Sequence, residues 1–113
     1  MDPYEHLPLA HRDLLILSVL SGRALHGYGI IKTVEERSES RMFLDPANLY
    51  RVLRRMRKDE WIRETEGEKG GDARRRTYAI TRKGEAVLRA EVERLERLLR
   101  QVRPALAGGG RDA

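Results

Sequence analysis

The segment at 45–58 constrains the fold more than any other part of this sequence. It opens on an acidic N-cap residue followed by proline at the first helical position, Asp45-Pro46. Apolar residues then recur at helical spacing, at Leu49, Val52, Leu53 and Met56. The opposite face holds Ala47, Arg51, Arg54 and Lys58, flanked by Asn48, Tyr50 and Arg55. The pattern predicts a helix at about 46–59 that buries one narrow stripe and exposes mostly arginine.

The segments on either side predict the remaining elements. A helix that is apolar nearly all round is expected over 9–21, and an amphipathic helix from Leu25-His26-Gly27-Tyr28 to about Ser38. Two short strands at 61–65 and 75–81 enclose a glycine-containing turn, and a last helix follows at 82–103. This order predicts a mainly α fold with a small β-hairpin (α+β), a winged helix-turn-helix.

The same patterns divide the chain into four parts. We expect an N-terminal arm at 1–8, a winged helix-turn-helix domain at 9–81, a C-terminal dimerisation helix at 82–103 and a flexible tail at 104–113. Thr81 is placed to cap the start of the last helix. Pro104 and the run Gly108-Gly109-Gly110 are expected to end it.

Length and residue content exclude several classes of protein. The 113 residues can form one core but not two. The absence of cysteine excludes disulfide scaffolds, cysteine-ligated zinc and thiol catalysis. No signal peptide or membrane span is recognisable, so a cytoplasmic location is expected. The three histidines His6, His11 and His26 lack metal-ligand spacing, so no metal or cofactor is expected. We assign His26 to a local hydrogen bond at the start of the second helix.

Positive charge is concentrated in two windows. The net charge is +5, yet residues 41–60 alone hold +3 and residues 74–84 hold +5. Most of the basic residues are arginines, which grip phosphate and guanine through two parallel hydrogen bonds. These windows favour an anionic partner, and double-stranded DNA above all. Two alternatives stay open, namely a merely solvated arginine surface and an interaction module that docks an acidic protein.

Candidate DNA contacts follow from position along the elements. Major-groove readers contact bases through the N-terminal part of the recognition helix, which here contains Ala47, Asn48, Tyr50 and Arg51. Phosphate contacts are expected from Arg54, Arg55 and Lys58. Lys32 of the second helix is a further expected DNA-binding residue. In the hairpin, Arg74, Arg75 and Arg76 are expected to contact phosphates or the minor groove.

The last helix carries a coiled-coil-like seam. Its residues follow a 4-3-4-3 spacing at Leu88, Val92, Leu95, Leu99 and Val102. Leu14 and Leu17 belong to the first helix, which is also apolar on more than one side. One small domain cannot cover both surfaces, so a homodimer that joins these residues is expected. The alternative is that the seam packs within its own subunit.

The aromatic residues and the remaining polar residues add little chemistry. Trp61 and Tyr78 are expected in the core, where they fasten the hairpin to the helices. The Tyr28 hydroxyl either reaches a phosphate or the ring packs locally. No nucleophile with a base, phosphate loop or ligand cluster occurs at workable spacing, so the chain is not expected to be an enzyme.

Four pieces of sequence, taken in order, resemble the PadR family of transcriptional regulators. They are Leu25-His26-Gly27-Tyr28, Asn48-Leu49-Tyr50-Arg51-Val52-Leu53, Asp59-Glu60-Trp61-Ile62 and Arg75-Arg76-Thr77-Tyr78-Ala79-Ile80-Thr81-Arg82-Lys83-Gly84. The resemblance covers about residues 9–103. It implies a homodimeric winged helix-turn-helix that binds operator DNA, usually as a repressor, and is often released by a small molecule. It also implies that the C-terminal helix builds the dimer, as in compact members with a single such helix.

Three positions depart from the family pattern. Ala47-Asn48 stand where the family usually has Gly-Thr, so a base preference does not transfer. Glu60 stands where the family tends to have glycine, and a left-handed conformation there would cost about 1 kcal/mol. The only tryptophan is Trp61, and helix 82–103 has no aromatic residue, so the flat-drug pocket of some members is not expected.

Overall fold

The computed structural model describes residues 2–65 and 76–108. In this part of the chain a short 3-10 helix at Pro3–His6 precedes four helices, which are α1 (His11–Gly22), α2 (Gly27–Arg37), α3 (Pro46–Lys58) and α4 (Arg82–Gly108). The described residues between the helices include three short strands, β1 (Leu25–His26), β2 (Ile62–Thr65) and β3 (Thr77–Ile80). The predicted fold class, a mainly helical winged helix-turn-helix, is confirmed.

Helix α3 begins and faces the core as its sequence predicts. The Asp45 carboxylate accepts hydrogen bonds from the backbone N–H groups of Ala47 and Asn48, at 2.8 and 3.2 Å. All four stripe residues are buried, with at most 1% of each side chain exposed. Burial of this stripe fixes which side of α3 faces outward.

The sheet contains one strand that the sequence did not reveal. Its order is β1-β3-β2, all antiparallel, and Leu25 and His26 pair with Tyr78 and Thr77. We predicted that Leu25 and His26 open the second helix. They instead form an edge strand, because a two-residue strand shows no alternation and its partner is about fifty residues away. The His26 expectation is confirmed, since its Nδ1 accepts the Gly29 N–H at 2.9 Å and caps α2.

The core joins α1, α2, α3 and the wing, the hairpin of β2 and β3. Ile16, Leu17 and Leu20 of α1 are fully buried and belong to one hydrophobic cluster with the α3 stripe. Trp61 and Tyr78 are 4% and 6% exposed and belong to this cluster, which confirms their predicted place in the core.

The turn after α3 contains the left-handed residue that the sequence suggested. Glu60 has φ 65°, and its N–H donates to the carbonyl of Arg57. The Trp61 N–H donates to the carbonyl of Met56. These two bonds form a Schellman motif, which normally places glycine at the position of Glu60.

Helix α4 is anchored at its start and is longer than expected. The Thr81 hydroxyl accepts the Gly84 N–H at 3.0 Å, as predicted for a cap. We expected the helix to end at Pro104, but it continues to Gly108 with Pro104 inside. A proline removes one N–H donor, and the Arg100 carbonyl that loses its partner lies on an exposed stretch where water can bond it.

The N-terminal residues lie against α4. The Leu9 N–H donates to Oε2 of Glu91 at 2.7 Å, and the Tyr4 hydroxyl donates to Glu93 at 3.1 Å. Glu91 is 1% exposed and also receives the Arg94 guanidinium at 2.5 Å. No helix within 2–65 and 76–108 is both long and apolar enough to cross a membrane.

Candidate nucleic-acid interface

The face of α3 opposite the core carries three exposed cations. Arg51, Arg54 and Lys58 lie one, two and three turns after the helix start and all are exposed. Within residues 2–65 and 76–108, none of them forms an ion pair. Ala47 is exposed at the N-terminal end of the same face. This outward row is therefore available to a ligand of opposite charge.

One flank of α3 is tied to the first helix. The Arg55 guanidinium donates to Oδ2 of Asp13, a carboxylate that is almost wholly buried. We expected Arg55 to contact phosphate. The structure gives its charge a partner inside the protein, because a buried carboxylate must be compensated. About half of the Arg55 side chain (49%) stays exposed, so its phosphate contact stays a prediction beside this structural role.

The other flank of α3 is tied to the wing. Nη1 of Arg57 lies 2.6 Å from Oε1 of Glu64 on β2. Nη1 of Arg76, the first described residue on the returning arm of the wing, lies 3.4 Å from the other oxygen of Glu64. No role was predicted for Arg57 or Glu64, because they lie on different elements and no local sequence pattern indicates that they meet.

The predicted base-contacting residues gather at the start of α3. Nδ2 of Asn48 donates to Oδ2 of Asp45 at 2.6 Å, so its amide is turned back toward the cap. Tyr50 is 43% exposed, and its hydroxyl packs over Gly27, where a Cβ atom would lie 2.6 Å from Oη. Tyr50 thus joins α3 to the start of α2 while it keeps an exposed edge.

The start of α2 adds a second exposed group. Tyr28 is 65% exposed, which rules out a core position within the protomer. Nζ of Lys32 lies 6.0 Å from the centre of its ring, a cation–π distance. The predicted contact Lys32 is also exposed and lies beside this aromatic ring.

The remaining predicted wing contacts are only partly described. Arg76 is exposed, whereas Arg74 and Arg75 lie outside the described residues. Residues 2–65 and 76–108 contain no cluster of three histidine, cysteine, aspartate or glutamate side chains that could hold a metal ion.

Burial and hydrogen bonding shift the pKa of two described acids. Burial, reinforced by the nearby Glu64 carboxylate, raises the pKa of Tyr78 above 10.0, so its hydroxyl stays protonated in the wing. Burial opposes ionisation of Glu91, but hydrogen bonds from Arg94 and from the Leu9 N–H together outweigh it and lower its pKa. Glu91 is therefore a buried, ionised anchor for the N-terminal segment.

The predicted dimer residues separate into three groups by exposure. Val92, Leu99 and Val102 are 42–49% exposed, as is the neighbouring Leu98, while Leu14, Leu88 and Leu95 are half-buried. Leu17 is fully buried in the core of its own chain. Our prediction that Leu17 contacts a partner is wrong, because the side chain has no surface left to offer.

Comparisons with known proteins identify the family. The sequence model described as the Transcriptional regulator PadR-like family matches residues 16–90. An uncharacterized protein X of Lysinibacillus sphaericus is 31% identical over 78 residues, which are 69% of this chain and 72% of that protein.

Solved structures agree with this family match. A PadR family transcription regulator from Clostridium difficile R20291 has TM-score 0.72 and 30% identity, over 86% of this chain and 99% of that one. PadR of Bacillus subtilis in complex with operator DNA has TM-score 0.65 and 20% identity, over 75% and 48% of the two chains, a likeness of fold.

The PadR-like proteins are DNA-binding regulators of transcription and not enzymes. The family match covers the core, the helix-turn-helix, the wing and the first part of α4, and the resemblance expected from the sequence is confirmed. This chain belongs to the PadR-like family of transcriptional regulators.

Proposed function

We propose that the chain is a dimeric, cytoplasmic repressor that binds a near-palindromic operator through α3 and the wing. The observation that carries this proposal is the outward row of Arg51, Arg54 and Lys58. The core stripe holds the row outward, and the described acids leave it unpaired. A helix of this kind presents its guanidinium groups to the major groove.

The residues have separate roles in the proposed complex. Arg51 and Tyr50 reach base edges together with Ala47 and Asn48, whose amide would exchange its bond to Asp45 for one to a base. Arg54 and Lys58 bind phosphates and set the register of α3. Lys32, Arg74 and Arg75 add phosphate or minor-groove contacts at the margins, and Arg76 adds one on the operator in exchange for its ion pair with Glu64.

Helix α4 supports the proposed dimer. Its exposed apolar residues Val92, Leu99 and Val102 belong to the same seam as the half-buried Leu88 and Leu95. An open depression of about 360 Å³, lined by residues of α1 and α4, borders the same seam. In the proposed dimer, a second copy packs on this seam, and the two α3 helices contact successive major grooves about 34 Å apart. Release of the operator by a small-molecule effector, which the family resemblance implies, belongs to the same proposal.

The test is a footprint of the full chain on the DNA upstream of its own coding sequence, followed by titrations on that site and on a random duplex. Arg51→Ala should weaken operator binding by about 1–3 kcal/mol and relax preference at one base position. Arg54→Ala should weaken both duplexes alike and flatten the salt dependence. The control is Arg23→Ala, since Arg23 is exposed at the end of α1, outside α3 and the wing.

The same experiments distinguish the proposed function from the protein-docking alternative. Equal losses on both duplexes for Arg51→Ala would contradict its assignment as a base reader. If the wild-type chain gave no protected site and instead co-purified with an acidic protein, the protein-docking alternative would replace the proposed function.

A further inference from the structure

One carboxylate lies between the two basic elements of the proposed interface. Glu64 on β2 contacts Arg57 of α3 at 2.6 Å through Oε1, and Arg76 of β3 at 3.4 Å through Oε2. Its side chain is 23% exposed, against 47% for Arg57 and 57% for Arg76. The acid is therefore largely covered, and the two guanidinium groups cover it.

The position of Glu64 is fixed by the sheet. Its backbone pairs opposite Tyr78, a buried residue, and the next pair, Thr65 and Thr77, joins its hydroxyls across the strands. The backbone is consequently fixed at the acid, and its side chain is the more covered one, whereas both arginines have long and half-exposed side chains. In this arrangement the acid sets the place of the arginines.

The three charges sum to +1, and their pairing limits what each arginine can do. Without the carboxylate, two guanidinium groups would repel each other and turn toward solvent. A freed arginine binds phosphate on a duplex of any sequence, which adds affinity but no information about bases. Specificity is the difference between operator and random affinity, so freed arginines lower it.

We propose that Glu64 is a specificity-determining residue that withholds Arg57 and Arg76 from the phosphates of arbitrary DNA and fixes the wing to α3. This inference rests on the proposed DNA-binding function. On the operator, base contacts hold the wing in one register, so loss of the fixed geometry offsets the gain from freed arginines. On random DNA no base contacts hold the wing in a register, so the freed arginines give a larger gain in affinity there.

The experiment measures the affinity of the full chain for the footprinted operator and for a random duplex of equal length, over a salt series. Glu64→Gln keeps the shape of the side chain and removes its charge. We expect random-duplex binding to tighten at least about threefold, operator binding to change less than about twofold, and the salt slope on random DNA to steepen by about one.

The matched control is Glu5→Gln, which makes the same change in net charge. Glu5 is exposed on the 3-10 helix at Pro3–His6 and has no ion pair within the described chain. The Glu5→Gln variant should bind the operator and the random duplex within about twofold of the wild-type chain, as expected of a charge outside the interface. An effect equal to that of Glu64→Gln would reduce the finding to net charge and overturn the inference.

A second set of variants tests whether Glu64 acts through Arg57 and Arg76. In an Arg57→Gln, Arg76→Gln background, Glu64→Gln should no longer tighten random binding. That background itself should lose less random-duplex affinity than Arg54→Gln with Lys58→Gln, because withheld arginines contribute little. The proposal is contradicted if Glu64→Gln still tightens random-duplex binding in the Arg57→Gln, Arg76→Gln background. It is also contradicted if that background loses more random-duplex affinity than Arg54→Gln with Lys58→Gln.

The two hypotheses fail in different ways. A wild-type chain that binds both duplexes equally contradicts the proposed function, and this inference with it. If the wild-type chain prefers its operator and the Glu64→Gln variant shows the same preference, the inference alone is overturned.

Discussion

Arg55 on α3 is ion-paired with Asp13 on α1, and the acid of this pair is almost wholly buried. The pair joins residues 42 positions apart in sequence. It holds the recognition helix at a fixed rotation about its own axis, because the apolar stripe and the Arg55 flank are both anchored. The outward direction of Arg51 and Arg54 depends on this rotation.

Removal of Arg55 should destabilise the fold while removal of its neighbour should not. Arg55→Ala removes the described hydrogen bond to the buried Asp13 carboxylate and leaves it only the Arg12 guanidinium, whose Nε lies 3.7 Å from Oδ1. We therefore expect the free energy of unfolding to fall by about 1–3 kcal/mol. Arg54→Ala removes an exposed side chain with no described partner and should cost less than about 0.5 kcal/mol. Urea denaturation of both variants checks this, and equal midpoints would contradict the structural role of Arg55.

Glycine at position 60 should stabilise the chain. Glu60 has φ 65° in the Schellman turn after α3, a conformation that is costly for a residue with a Cβ atom. Glu60→Gly is expected to raise the free energy of unfolding by about 1 kcal/mol. Glu60→Ala removes the same charge but keeps the Cβ atom, so it should give no comparable gain. A similar gain from alanine would assign the effect to charge instead of backbone strain.

Gly84 should not tolerate a side chain. A Cβ atom there would lie 2.1 Å from the carbonyl oxygen of Trp61, which is backbone and cannot rotate away. Gly84→Ala must push α4 from the wing, with a loss of more than about 2 kcal/mol of stability. The control is Gly22→Ala, since a Cβ atom at Gly22 meets nothing within 4 Å. Thermal unfolding of the two variants should separate them clearly, and a Gly84→Ala variant as stable as wild type would refute this packing.

Stability should fall in acid partly through Glu91. The folded-state pKa of Glu91 lies below its ordinary value of 4.5, so the unfolded state binds the proton more readily. Its contribution is therefore complete above pH 4.5 and is lost as pH falls through the folded-state pKa. Glu91→Gln should lower stability at neutral pH and flatten the curve below pH 4.5. If the variant and the wild type lose stability in parallel over that range, Glu91 does not carry this dependence.

A charge in the α4 seam should prevent the proposed dimer. Leu99 and Val102 are each 49% exposed in the single chain, so polar replacements do not disturb its core. Leu99→Glu should give a monomer by light scattering and should weaken operator binding, because a single α3 contacts only one half-site. Arg100→Glu changes charge at the adjacent position and should keep the dimer. A Leu99→Glu variant that remains dimeric would exclude α4 as the interface.

The order of elements could be predicted from local signals. Asp45-Pro46 and the four-residue stripe defined α3, and Thr81 marked the start of α4. These signals are local because capping and amphipathic burial depend on residues three or four positions apart. The two-residue strand β1 and the passage of α4 through Pro104 were missed. The first depends on a distant strand, and the second on exposed backbone that tolerates a lost hydrogen bond.

The sequence by itself determined that α3 would bury one face and carry an excess of arginine on the rest. It could not determine which arginines are free. Tertiary structure decided that Arg55 belongs to Asp13 and Arg57 to Glu64, and that Arg51, Arg54 and Lys58 form the outward row. The physical reason is that an ion pair depends on distance in space, and the fold brings together charges whose separation along the chain carries no signal.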